Sequence, residues 1–479
     1  MSRPGRPGGL GRRLARLVAL ALLMLPGTTV AAPGRRALTL AEVLDTVRGR
    51  HPAAAAAGHR VAAAEGDALA ARGGFDPRLS VRGRWMPVGY YRNGQLDVAL
   101  RQPTPLWGLD LEAGYRLGLG TYAVYKGDLQ TLSAGEVRAG LSVPVWRDGP
   151  IDDRRAKVAR AARKLDEAEA KARAKALELA GKAADAYWTW VAAGLRLRIA
   201  RDLLDLARRR AAGLAAQAEA GAIPAIRLTD NERQVLEREA KVVAARRAFE
   251  QAAVALSLYY RDENGRPVVP DPARLPARLP APPPPPRDLD ALVRRAQRDR
   301  PEVHAMVAQR RARQVDARLA RNRLAPELRL AGFVSRDFGQ GPAWLAPTEL
   351  WVGATFEMAL PLRTARGRRQ AAQARVRAVD AELRGLQDGI GAEVRAAAAA
   401  LRAALRRVDL ARAQVRAARI LAEGERRRLA EGASDLVVVN LRELAAADAK
   451  RLEVDAVTDA HRAAAALRVA SGRWPAPGR

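Results

Sequence analysis

Two hydrophobic rhythms alternate along this chain. Over residues 152–219 and 365–430 the apolar positions recur every seven residues. In the first stretch Val158, Leu165, Ala172, Leu179, Ala186, Ala193, Ala200, Ala207 and Leu214 keep that spacing without a polar interruption. In the second, Val376, Leu383, Ile390, Ala397, Ala404, Ala411 and Ala418 do the same, beside a second stripe through Val394, Leu401, Val408, Val415, Ala422 and Leu429. A strict period of seven predicts coiled-coil helices. At ~1.5 Å per residue each spans about 100 Å. Alanine at many seam positions lets helix axes approach closely, and two stripes let one helix contact two neighbours.

Before each long helix the period drops to two. Apolar and polar residues alternate over 79–85, 137–145, 328–334 and 350–360, which predicts four strands with one apolar face. About ten residues is the length of a tilted membrane-crossing β-strand. Residues 96–100 and 109–119 also alternate, around Pro103 and Pro105. Two placements are open to them, an external hairpin above the barrel or a widening of it, and the hairpin is the favoured expectation. Trp85, Tyr90, Tyr91, Trp107, Tyr115, Tyr122, Tyr125, Trp146, Trp344 and Trp351 lie in or beside these segments. That clustering predicts a membrane-interface girdle. Four strands cannot close a barrel, so the pattern calls for several copies. A trimer would give twelve strands and twelve helix rows.

The order of elements is written twice. Leu40, Val43, Leu44 and Val47, followed by Arg50-His51-Pro52, correspond to Leu289, Leu292, Val293 and Ala296, followed by Arg300-Pro301. Phe75-Asp76-Pro77-Arg78-Leu79 corresponds to Leu324-Ala325-Pro326-Glu327-Leu328 at the same offset of 249. The division is a first repeat at 38–262, a Pro-rich linker at 263–287 and a second repeat at 288–472. Pro282 to Pro286 keep the linker extended, because proline lacks the N–H and fixes φ.

Composition narrows the function. Residues 1–31 read as a cleaved signal peptide: five arginines, the nine apolar residues Leu17–Leu25, then small residues up to Ala31. No later stretch has eighteen consecutive apolar residues, so a membrane location requires β-strands. The net charge is +31, or +26 without those five arginines. Export argues against nucleic acid as the partner of this basic surface. There is no cysteine, and the four histidines, His51, His59, His304 and His461, stand singly. No metal-ligand spacing and no phosphate-binding glycine loop appears. The chain reads as a non-enzyme without a cofactor.

Specific motifs carry a family resemblance. They are Leu38-Thr39-Leu40-Ala41-Glu42-Val43-Leu44, the Pro-x-Leu strand starts at 77–79 and 326–328, Pro144-Val145-Trp146 and Pro361-Leu362-Arg363, and the turns Glu219-Ala220-Gly221-Ala222 and Ala430-Glu431-Gly432-Ala433. In this order and duplication, over roughly 38–472, the chain resembles the TolC family of outer-membrane factors. The resemblance implies a mainly α fold with β: a trimeric α-helical barrel joined to a transmembrane β-barrel, with two structural repeats per chain. It implies a homotrimer in outer-membrane lipid whose tunnel extends into the periplasm. It also implies a periplasmic adaptor protein and an inner-membrane pump as partners, in efflux or type I secretion. The glycine turns would form the lower tip, making Gly221, Ala222, Gly432 and Ala433 the expected docking residues. In the family carboxylates often ring the aperture, but no full acidic ring is evident here. Arg227, Asp230, Asp435 and Asn440 are the candidate gate residues. The rival reading is a periplasmic adaptor or structural coiled-coil envelope protein. An adaptor would carry one helical hairpin and an inner-membrane anchor.

Overall fold

The computed structural model describes residues 36–123, 129–221 and 223–474. The expected signal peptide, Tyr125 and Ala222 lie outside the described residues.

Two short helices open the described chain, α1 (Leu40–Arg50) and α2 (Pro52–Arg72). Thr39 caps α1 by accepting the Glu42 amide at 3.2 Å. The break falls at His51-Pro52, where proline suits the first position of a new helix. Strands β1 (Arg78–Met86), β2 (Asn93–Pro103), β3 (Asp110–Gly120) and β4 (Glu136–Pro144) follow. The long helix α3 (Asp153–Glu219) then runs down, and α4 (Ile226–Ser257) returns. Beyond residue 287 come α5 (Leu289–Asp299), α6 (Pro301–Asn322), β5 (Glu327–Asp337), β6 (Glu349–Glu357), α7 (Arg363–Ala430) and α8 (Leu436–Ala470). The two long helices begin and end within two residues of their expected bounds.

The strands form one antiparallel sheet in the order β1-β2-β3-β4-β5-β6. This corrects the expectation of four strands with a separate hairpin above them. β2 and β3 pair in the plane of the sheet along their whole length. The physical reason is that their alternation continues the neighbours' apolar face. Leu96, Val98 and Leu100 sit opposite Gly83, Val81 and Leu79 on one side, and opposite Leu117, Tyr115 and Ala113 on the other. Pro103 ends β2, and Pro105 falls in the following turn, so neither removes an N–H from the ladder's middle.

One face of all six strands is apolar apart from Gln102 and Arg336 near strand ends. Much of it is open: Leu79 is 69 % and Phe356 61 % exposed. The opposite face carries an ionic ladder. Arg116 pairs with Asp97 at 2.8 Å, Arg101 with Asp110 at 2.8 Å and Arg138 with Glu112 at 3.6 Å. Trp351 lies on this polar face, packed with Phe333 at a ring separation of 5.7 Å. It therefore does not belong to the girdle expected of it.

The helical body holds the core. Tyr187, Trp188, Trp190 and Val191 of α3 are buried against Val43 and Val47 of α1 and Phe249 and Leu256 of α4. A second cluster joins Val293 and Val303 of α5 and α6 to Ile390, Val394 and Leu401 of α7 and Leu467 of α8. The linker follows the body closely. Arg274 pairs with Glu42 at 2.7 Å and accepts the Leu38 amide on its carbonyl at 2.9 Å. That guanidinium holds the Glu42 carboxyl below its ordinary range. A Cβ on Gly194 would come within 2.5 Å of a Leu275 methyl, so glycine at this position gives the linker side chain room to seat. Among the described residues no helix is long and apolar enough to cross a membrane.

Candidate functional site at the helical tip

Both long helices end in a turn that requires a left-handed residue. Gly221 has φ +68° and Gly432 φ +75°. After α7 the Ala433 amide reaches back to the Arg428 carbonyl at 2.7 Å and the Gly432 amide to Leu429 at 3.1 Å. This is the paired 6→1 and 5→2 closure of a Schellman turn. A Cβ at either glycine would meet nothing within 4 Å. The residues are therefore demanded by backbone conformation rather than by crowding. Gly221, Gly432 and Ala433 are all exposed.

The two turns lie at the same end of the body, as one contact establishes. Arg227 in the first turn of α4 pairs with Asp435, the N-cap of α8, at 3.7 Å. Asp435 also accepts the Val437 amide at 3.1 Å. Both side chains of the pair are about half exposed. Asp230 does not join them: it is held along its own helix by Arg233 at 3.2 Å and Gln234 at 2.9 Å.

Asn440 points elsewhere, into a buried polar knot that spacing and motif reading missed. Glu443 of α8 has a side chain only 1 % exposed, clasped by Arg210 of α3 at 2.7 Å and Arg426 of α7 at 2.9 Å. Arg210 also donates to the Asn440 carbonyl oxygen Oδ1. Arg238 of α4 donates to the Leu203 carbonyl at 2.9 Å, and burial pulls its guanidinium below its ordinary range while Glu443 pulls it back up. Side chains from all four helices thus meet in one layer. The layer is incompletely satisfied. Among the described residues Glu443 Oε2 and Asn440 Nδ2 find no hydrogen-bond partner, and neither do the polar atoms of the buried Asn231 elsewhere on α4. The tip thus combines fixed charges with tight turns.

Comparison with known proteins adds an identity to this geometry. A family model described as outer membrane efflux protein matches residues 43–260 and 292–473. The solved outer-membrane channel OprN matches at 18 % identity and a TM-score of 0.61, covering 90 % of this chain and 89 % of that one. The open-state MtrE outer membrane channel of Neisseria gonorrhoeae matches at 18 % and 0.62, covering 91 % and 89 %. The outer membrane protein VceC of Vibrio cholerae matches at 17 % and 0.60, covering 91 % and 96 %. At these identities the likeness establishes the fold. No curated protein sequence matches the chain.

Proposed function

The chain belongs to the outer membrane efflux protein family, and we propose that three copies form a passive exit duct, gated at the helical tip and opened by adaptor and pump docking. Its place is the outer membrane. In this reading the two halves of the chain are structural repeats, the sheets join as a barrel in lipid, and the helices continue as a periplasmic tunnel. One observation carries the proposal. A single chain leaves a six-strand apolar face exposed and both edge strands unpaired, an arrangement unstable in water and suited to lipid once the edges are joined. Apolar residues left open on the helices, such as Leu236 and Val243 of α4 and Ile420 of α7, supply further contact area for neighbouring copies.

The tip geometry suggests how such a duct opens. The Arg227–Asp435 pair links the start of α4 to the start of α8 and must part if those ends separate. Being exposed, it contributes at most about 1 kcal/mol, a barrier that docking can overcome. The Glu443 knot lies farther into the body and is far costlier to break, so it serves as the fixed end about which the tips move. The turns at Gly221 and Gly432–Ala433 are the docking surface, beside the pair they would release, with Ala222 as the fourth docking residue.

Mass measurement on detergent-extracted protein from outer membranes tests the assembly, with three copies and heat-modifiable mobility expected. A soluble monomer in the periplasmic fraction would overturn the proposal.

A further inference from the structure

The two edges of the sheet carry opposite, unanswered charge. On the polar face of β1 stand Arg78, Arg82 and Arg84, and on that of β6 stand Glu349 and Glu357. Every residue of β1 is exposed, and all of β6 except Gly353. Inner strands answer charge with charge, as the Arg116–Asp97 and Arg138–Glu112 pairs do. No ion pair among the described residues reaches any of these five edge residues. Arg84 has only a 3.3 Å hydrogen bond to Gln95. The inward neighbours make matters worse. Arg78 sits opposite Arg101 and Glu357 opposite Glu327, and like charges directly opposite destabilise a ladder.

We infer that β6 of one copy pairs flush with β1 of the next, Arg78 against Glu357, so that three copies close an eighteen-stranded barrel. The inference rests on the trimer proposed above. Both strands have nine residues, and an even number of alternating strands leaves the two edges antiparallel. Flush pairing sets Arg78 opposite Glu357, Ser80 opposite Thr355 and Arg84 opposite Trp351, with Glu349 diagonal to Arg84. On the apolar face it sets Leu79 opposite Phe356 and Trp85 opposite Leu350. Polar thus meets polar and apolar meets apolar, and Arg84 gains a ring face besides an acid.

Barrel geometry gives an independent check. The ladder leads from Arg78 to Arg101, Glu112, Gly140, Phe333 and Trp351. The flush seam carries it on to Arg84 of the next copy, six residues up from 78. Three copies accumulate three times six, a shear equal to the strand number. With a rise of ~3.3 Å and a strand spacing of ~4.8 Å, that stagger means a tilt of about 35°, inside the range that closed barrels adopt. Sliding the seam by two residues one way flattens the tilt to about 25°, outside that range. Sliding it the other way moves Glu357 off Arg78 and opposite Ser80. Closure thus excludes the first slide and charge the second, which leaves the flush register. Because diameter grows roughly linearly with strand number, eighteen strands make an exit about half again as wide as twelve would.

The chain has no native cysteine, so cross-linking reads the seam cleanly. Ser80→Cys with Thr355→Cys should give oxidised dimers and trimers on a non-reducing gel, whereas Ser80→Cys with Glu357→Cys should give few. Arg78→Glu should lower the yield of heat-modifiable trimer several-fold, and adding Glu357→Arg should restore it. A trimer that forms without the Ser80–Thr355 cross-link and without charge rescue overturns the seam while leaving the trimer standing. Efficient cross-linking only in the offset pair overturns the register. Loss of every oligomer in the unsubstituted protein would count against the trimer reading itself.

Discussion

Two ionic contacts hold the same end of the helical body, and only one of them keeps its carboxylate in water. Arg227 and Asp435 are about half exposed and 3.7 Å apart. Glu443 is almost wholly covered and lies within 3 Å of two arginines. The exposed pair is screened, forms and parts cheaply, and joins segments beside glycine turns. The buried knot ties α3, α7 and α8 and carries a large desolvation penalty that only intact partners offset. Depth, not ligand chemistry, separates a contact that can switch from one that can anchor.

The contrast breaks most visibly at Glu443. Replacing Glu443 with leucine leaves Arg210 as a largely buried charge without its carboxylate, beside a half-exposed Arg426, and should cost about 3 kcal/mol. Thermal unfolding of the purified protein should show a correspondingly large fall in Tm. An unchanged Tm would mean that the knot is hydrated and anchors nothing. Next comes the turn: Gly432→Ala forces a Cβ into a left-handed conformation and should cost about 1–2 kcal/mol, without altering Glu443. Smaller again is the exposed pair. Arg227→Ala and Asp435→Asn should each change stability by under about 1 kcal/mol, since asparagine retains the N-cap. Both should raise single-channel conductance in planar bilayers, and equal conductance to the unsubstituted protein would remove this pair from the gate.

The gentlest probe lies away from the tip. His461 stacks on Trp188 at 4.0 Å and donates from Nε2 to the Pro280 carbonyl of the linker at 3.0 Å. Burial holds its pKa below the ordinary 6.5. The unfolded chain therefore binds a proton that the folded one resists, and this contribution is present above about pH 6.5 and fades as pH falls below it. His461→Gln should flatten that slope in a pH series of Tm values, while leaving conductance at neutral pH unchanged.

Much of the fold was legible because long seams and strict alternation are local signals. The start of α3 follows from Asp152, and the last turns of α3 and α7 from the glycines that close them. The in-plane position of β2 and β3 was harder. Alternation at 96–119 predicts a strand, but which neighbour it pairs with depends on partners far along the chain, and two prolines favoured a detour. Trp351 was assigned by residue type to an interface, although its place in the alternation already set it on the polar face. Of the four residues named for the gate, Arg227 and Asp435 lie together, Asp230 is held by Arg233 and Gln234, and Asn440 joins the buried knot. Glu443 was overlooked in a chain rich in charge. One signal existed. Arg210 lies one turn from the buried Ala207 and Leu214, and Glu443 one turn beyond the buried Val439, so each is a charge set beside buried apolar positions.

The inserted β2–β3 pair has a consequence for how such a sheet can grow. A single added strand would reverse β4 and deliver α3 to the wrong side of the membrane. A pair restores direction: β4 still descends, Asp152 still caps α3, and the helices remain in their original compartment. In the proposed duct the wall can therefore widen only by two staves at a time, and β2–β3, which the second half of the chain lacks, amount to one such increment.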